Sequence, residues 1–226
     1  MDHDIKTKRP APVSTIIPLV VVLLTGQYFA PLLQYDRSAI IAGEYWRVLT
    51  CHFVHAGWEH MLVNMLGALL ILFLFVQLYA PFAWLTGIFC SMVGIGISFL
   101  VFCPSLEWYM GLSGILHGLL MMGIIGEIKK GNWFYYFGLA TIVGKLAMEY
   151  FSGPSDITSR FIDISIITSA HLSGAITGGL TACFIAFTQK QTGGLAAAPA
   201  AQPACPTKVQ RILHEGSLYL KKIKNN

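Results

Sequence analysis

Residues 109–120 read YMGLSGILHGLL. Ser113 and His117 stand four residues apart, among glycines, where an otherwise apolar helix begins. In hydrocarbon, a hydroxyl or imidazole without a partner is costly, so polar side chains in such a segment need each other or a task. The spacing of four puts Ser113 and His117 on one helical face.

The apolar surroundings extend along most of the chain. Of its 226 residues, 55% are hydrophobic and 12% are charged, whereas soluble domains carry about 25% charged residues. Apolar runs of about 18–22 residues match the thickness of a bilayer core. The sequence therefore predicts an all-α, polytopic membrane protein with six spans. They lie near Thr15–Leu33, His60–Tyr79, Phe82–Cys103, Ser113–Ile128, Trp133–Phe151 and Ile164–Thr188. The first apolar run follows Lys6, Lys8 and Arg9, as a signal peptide would. It exceeds a signal core of about 7–15 residues and no A-x-A site follows, so a retained helix is expected.

Residues 1–190 form the expected membrane unit. Gly193–Pro206 (GGLAAAPAAQPACP) reads as a low-complexity linker, and 191–226 as a whole as a cytoplasmic linker and basic tail. That tail is either solvated or laid on an anionic leaflet. Six spans put both termini on one side, together with eleven of the fifteen Lys and Arg residues. The positive-inside rule makes that side cytoplasmic. The net charge of +4 reflects this topology and gives no reason to expect nucleic acid as a partner.

The first outer loop, Gln34–Glu59, carries Trp46, Arg47, Trp58 and the histidines His52 and His55 among apolar residues, with His60 just after it. Such a mixture suits a segment in the membrane interface, with the tryptophans as anchors and Arg47 tied to carboxylates or carbonyls. Cys51 and Cys103 both fall near the outer face, where a disulfide between them is permitted.

The polar residues placed in the spans are His60, Asn64, Ser113, His117, Lys145, Glu149 and His171. Lys145 and Glu149 are spaced i, i+4 and are expected to neutralise each other as a structural pair. His60 and Asn64 share the same spacing and offer donors into the bundle. Gly114 and Gly118 follow Ser113, and Gly174 and Gly178 follow His171. Paired GxxxG segments let two helix backbones approach closely. The approach would bring Ser113 and His171 together at similar depth, as an activated nucleophile requires. Gly111 permits a tight entry into the helix. Unpaired amides at the helix start can bind an oxyanion, with side-chain donors from His60 and Asn64. No acidic residue stands where it would obviously orient His171, so a Ser-His dyad is expected.

These residues resemble the rhomboid intramembrane serine proteases. The matches come in the family's order: Trp46-Arg47, then His60-x-x-x-Asn64, Gly111-x-Ser113-Gly114, and Ala170-His171-x-x-Gly174-x-x-x-Gly178. The resemblance covers about residues 15–188. It implies a six-helix rhomboid-like bundle with an interfacial first outer loop, Ser113 as nucleophile and His171 as general base. It also implies oxyanion support from His60 and Asn64, and no cofactor or metal. The implied substrates are single-span transmembrane proteins in the lipid bilayer, cut near the outer face.

Many rhomboids carry an aromatic residue four positions after the nucleophile. Here that residue is His117, with the expected job of packing on or hydrogen-bonding His171. SGxLHG together with Lys145 and Glu149 resembles the rhombosortase subgroup. That subgroup implies substrates bearing a C-terminal Gly-Gly motif, a transmembrane helix and a basic end, and a place in the bacterial inner membrane. General rhomboid substrates are the alternative. Two further readings compete. One is a metal or haem protein using His52, His55, His60, His117 and His171, although neither HExxH nor HxxEH occurs. The other is a non-catalytic binder of transmembrane helices.

Overall fold

The computed structural model describes residues 13–153 and 167–191. The basic N-terminal residues, the outer loop around Arg160, the expected start of span six, the linker and the basic tail lie outside the described residues. What is described is mostly helical. In chain order come α1 (Val13–Tyr28), α2 (Ala30–Leu33), β1 (Tyr35–Asp36), α3 (Arg37–Ile41) and α4 (Arg47–Thr50). A 3₁₀ turn at Cys51–Phe53 leads to α5 (Trp58–Phe75) and α6 (Pro81–Phe102). Then follow β2 (Trp108–Tyr109), α7 (Ser113–Lys129), α8 (Tyr135–Ser152) and α9 (Thr168–Gln191).

Three of these helices, α5, α6 and α9, are long and apolar enough to cross a membrane. They fall on the second, third and sixth expected spans. Leu62, Leu66, Leu70 and Phe73 of α5, and Leu85 and Phe89 of α6, lie exposed, as a surface facing hydrocarbon would. Helix α7 has only 17 residues, about 26 Å at 1.5 Å per residue. It is the central element, packed by α5, α6, α8 and α9. Its glycines Gly114, Gly118, Gly123 and Gly126 are all buried. The α7–α9 interface is the most extensive among the described residues.

The loop Gln34–Glu59 is built, not merely connecting. Its strand β1 pairs antiparallel with β2, Tyr35 opposite Tyr109, and so ties the loop to the segment that enters α7. Tyr35, Phe99 and Tyr109 form an edge-to-face aromatic chain beneath that ribbon. Arg47 is buried and holds the loop by three bonds. Its Nε lies 2.6 Å from Glu44 Oε2, and its Nη1 donates to the carbonyls of Pro31 and Gln34, each at 3.0 Å. This is the tie to carboxylate and carbonyls that the sequence suggested. Trp46 and Trp58 are each about half exposed. Replacing Arg47 by alanine leaves two loop carbonyls without their charged donor, an expected loss of about 2 kcal/mol. Thermal unfolding in detergent measures it.

The permitted disulfide is not formed. Cys51 and Cys103 are free thiols. The Cys51 Sγ turns back to the Val48 carbonyl at 3.6 Å. Burial in the core pushes that thiol well above its ordinary range.

Candidate functional site

The contact between α7 and α9 is backbone on backbone. A Cβ placed on Gly174 would collide with the Gly114 carbonyl, and one on Gly178 with the Gly118 carbonyl. Conversely, a Cβ on Gly114 would lie 2.9 Å from the Ala170 carbonyl, and one on Gly118 2.8 Å from that of Gly174. Only hydrogen fits at these four positions. The two GxxxG segments therefore mesh.

That approach brings Ser113, the first residue of α7, to His171 in the first turn of α9. The Ser113 Oγ lies 3.0 Å from His171 Nε2. His171 is buried, so water does not compete freely for its ring. His117, one turn after Ser113, stacks on His171 with ring centroids 4.1 Å apart and planes 15° from parallel.

The entry to α7 is pinned from three directions. The Gly111 amide donates to the Cys51 carbonyl at 3.0 Å. The buried Tyr109 hydroxyl donates to the Gly111 carbonyl at 2.7 Å. The third tie is the β1–β2 pairing itself. Gly111 has φ +137°, a region that a side chain disfavours. A Cβ there would also lie 2.8 Å from His60 Cε1 and 3.9 Å from Asn64 Nδ2. His60 and Asn64 of α5 thus flank the turn two residues before Ser113. His60 Nδ1 and Asn64 Nδ2 are buried without a partner among the described residues. The Asn64 amide is thus an unpaired donor beside a nucleophile-bearing turn, which suits an acceptor that arrives later.

The structure corrects one expectation. An acidic residue does face His171. Glu149 of α8 places Oε2 2.9 Å from His171 Nδ1. The pairing of Glu149 with Lys145 is present, 2.6 Å between Oε1 and Nζ, but it is not self-contained. The Lys145 ammonium also reaches His117 Nε2 at 2.9 Å. A sequence signal existed. Ile142, Lys145, Leu146 and Glu149 fall at i, i+3, i+4 and i+7 on one stripe. Ile142 and Leu146 are buried, so Glu149 points along the packed face while Lys145 lies at its exposed margin.

Two loop histidines lie outside this arrangement. His52 and His55 are buried, and their ring nitrogens have no partner among the described residues. Burial lowers the His52 pKa to about 4 and that of His55 to about 3. Both are therefore neutral packing residues at ordinary pH. Gln27 pins the His55 backbone, donating to its carbonyl at 2.5 Å and accepting from its amide at 3.0 Å. An open cavity of about 660 Å³, lined by Gln27, Gln34, Asp36 and His55 among others, reaches Met110, just before the turn. Among the described residues, no three His, Cys, Asp or Glu side chains converge on a metal position.

A family model described as the Rhomboid domain matches residues 42–188. No curated protein matches the chain.

Proposed function

Because the chain belongs to the rhomboid family, we propose that it is an intramembrane serine endopeptidase with Ser113 as nucleophile and His171 as general base. The family generally comprises serine intramembrane proteases acting on transmembrane substrates, and it includes non-catalytic members. Family and apolar helices together make the chain an integral, multi-pass membrane protein. The observation that carries the catalytic reading is the 3.0 Å contact between Ser113 Oγ and His171 Nε2. It spans two helices that glycine alone allows to touch. A binding protein has no need of that contact.

In the proposed reaction, His171 Nε2 takes the hydroxyl proton as Ser113 Oγ attacks the scissile carbonyl carbon. The carbonyl oxygen becomes an oxyanion, met by the free amides opening α7 and by the donors of Asn64 and His60. His171 then gives its proton to the leaving amine. Water, deprotonated by the same ring, hydrolyses the acyl-enzyme and frees Ser113. The open cavity beside Met110 supplies a route for that water.

We place the chain in the rhombosortase-like subgroup. It is assigned six spans, a bacterial inner membrane and cytoplasmic termini. The support is local: His117, Lys145 and Glu149, which carry the subgroup resemblance, all surround His171. The expected substrates are single-span proteins with a Gly-Gly motif, a transmembrane helix and a basic end. The test uses membranes holding the full chain and either such a reporter or a generic rhomboid substrate. Cleavage of the Gly-Gly reporter at least about tenfold faster is expected. Cleavage of the generic substrate alone removes the subgroup assignment and leaves the protease.

A further inference from the structure

The hydrogen bonds around Ser113 close into a ring. A carboxylate only accepts, so the contact of Glu149 Oε2 with His171 Nδ1 at 2.9 Å puts the imidazole proton on Nδ1. His171 Nε2 is then a lone pair, directed at Ser113 Oγ. The Ser113 carbonyl likewise only accepts, so its 2.7 Å contact puts the His117 proton on that ring's Nδ1. His117 Nε2 is then a lone pair and accepts from the Lys145 ammonium at 2.9 Å. The same ammonium donates to Glu149 Oε1 at 2.6 Å. The path leaves the Ser113 hydroxyl, passes through His171, Glu149, Lys145 and His117, and returns to the Ser113 carbonyl. Each contact on it pairs one donor with one acceptor.

We propose that Glu149 and Lys145 are positioning residues, so that the site works as a serine-histidine-glutamate triad braced by a lysine. This rests on the protease reading above. Glu149 holds His171 in the tautomer and orientation that aim Nε2 at Ser113, and faces the imidazolium that forms when the proton arrives. Lys145 fixes the other carboxylate oxygen and clamps His117, whose stacked ring blocks His171 from swinging away.

An intrahelical ion pair accounts for only one of these contacts. It needs Lys145 and Glu149 on one face and nothing more. It does not direct the second carboxylate oxygen to His171, nor the ammonium to a ring on α7. The Glu149 and His171 side chains are 12% and 8% exposed, so water offers little substitute for their bond. The Lys145 side chain is 44% exposed and water can partly replace it. Glu149 therefore carries the larger effect.

The test uses the purified full chain, a fluorophosphonate that labels an activated serine, and cleavage of the Gly-Gly reporter. Glu149→Gln is expected to slow labelling and lower kcat by about 100-fold or more, with KM within about threefold. Glu149→Asp recovers about tenfold of that loss, and Lys145→Met costs about tenfold. In a Ser113→Ala background, Glu149→Gln lowers the residual rate no further. Labelling of Glu149→Gln within about threefold of wild type overturns the inference while the protease reading stands. Should Glu149→Gln lose its melting transition, Glu149→Asp decides. Slowed labelling with melting intact supports the inference, and wild-type labelling overturns it. A wild-type chain that neither labels nor cleaves overturns both readings.

Discussion

Ser113→Ala is expected to lower cleavage of any substrate by about four orders of magnitude or more, and His171→Ala to come close to it. Without Oγ no acyl-enzyme forms. Without the ring, the hydroxyl proton has no acceptor at 3.0 Å. What remains in either variant is binding and the oxyanion donors, which survive both changes. Residues that act as a unit are not additive, so the double variant should be scarcely slower than Ser113→Ala alone. The fold should tolerate the serine change. One hydrogen bond is lost, about 1 kcal/mol, and no glycine contact between α7 and α9 is touched. Melting in detergent therefore stays close to wild type while activity disappears. A Ser113→Ala chain that still cleaves removes the mechanism. One that still supports a cellular role of the wild-type chain favours the non-catalytic reading of the family.

The glycine spacing made the pairing of α7 with α9 legible before any coordinates. GxxxG is a local pattern with one physical use, and each segment starts beside one of the two reacting groups. That His117 would pack on or hydrogen-bond His171 was implied by the family resemblance, which has an aromatic residue at that position; helix geometry alone relates His117 only to Ser113. Glu149 was not read as the partner of His171. Its i, i+4 lysine offered a complete local explanation, and periodicity along α8 does not say which neighbours that face meets. The stripe with Ile142 and Leu146 held the answer, but the mutual neutralisation of Lys145 and Glu149 left no charge that called for another partner. The β1–β2 ribbon was beyond reach altogether. Each strand is two residues long, and more than seventy residues separate Tyr35 from Tyr109. Pairing over that separation leaves no periodic trace. The tie from Tyr109 to Gly111 is hidden with it.

Gly174→Val is expected to cost about 100-fold or more in cleavage and Ser113 labelling, although residue 174 touches no reacting atom. The argument is steric. Even the first carbon of a side chain at 174 collides with the Gly114 carbonyl. Carbon and oxygen rest at about 3.3 Å or more, so the two backbones must part by roughly 1 Å. Ser113 and His171 lie on those same backbones, one residue before Gly114 and three before Gly174. The 3.0 Å contact between them is therefore the first casualty. Overpacking costs about 1–3 kcal/mol, and the upper end applies because a helix carbonyl cannot rotate aside. Gly114→Val should behave alike, since its Cβ meets Ile95 and the Ala170 carbonyl. Gly144→Ala on α8 is the control. Its Cβ meets nothing within 4 Å, and alanine favours the helix by about 1 kcal/mol, so activity and melting should both hold. Cleavage rate, labelling rate and melting temperature, read on the three variants together, separate local displacement from general unfolding. Full activity in Gly174→Val means that the chain reaches its working geometry without backbone contact, and the close-packing account fails.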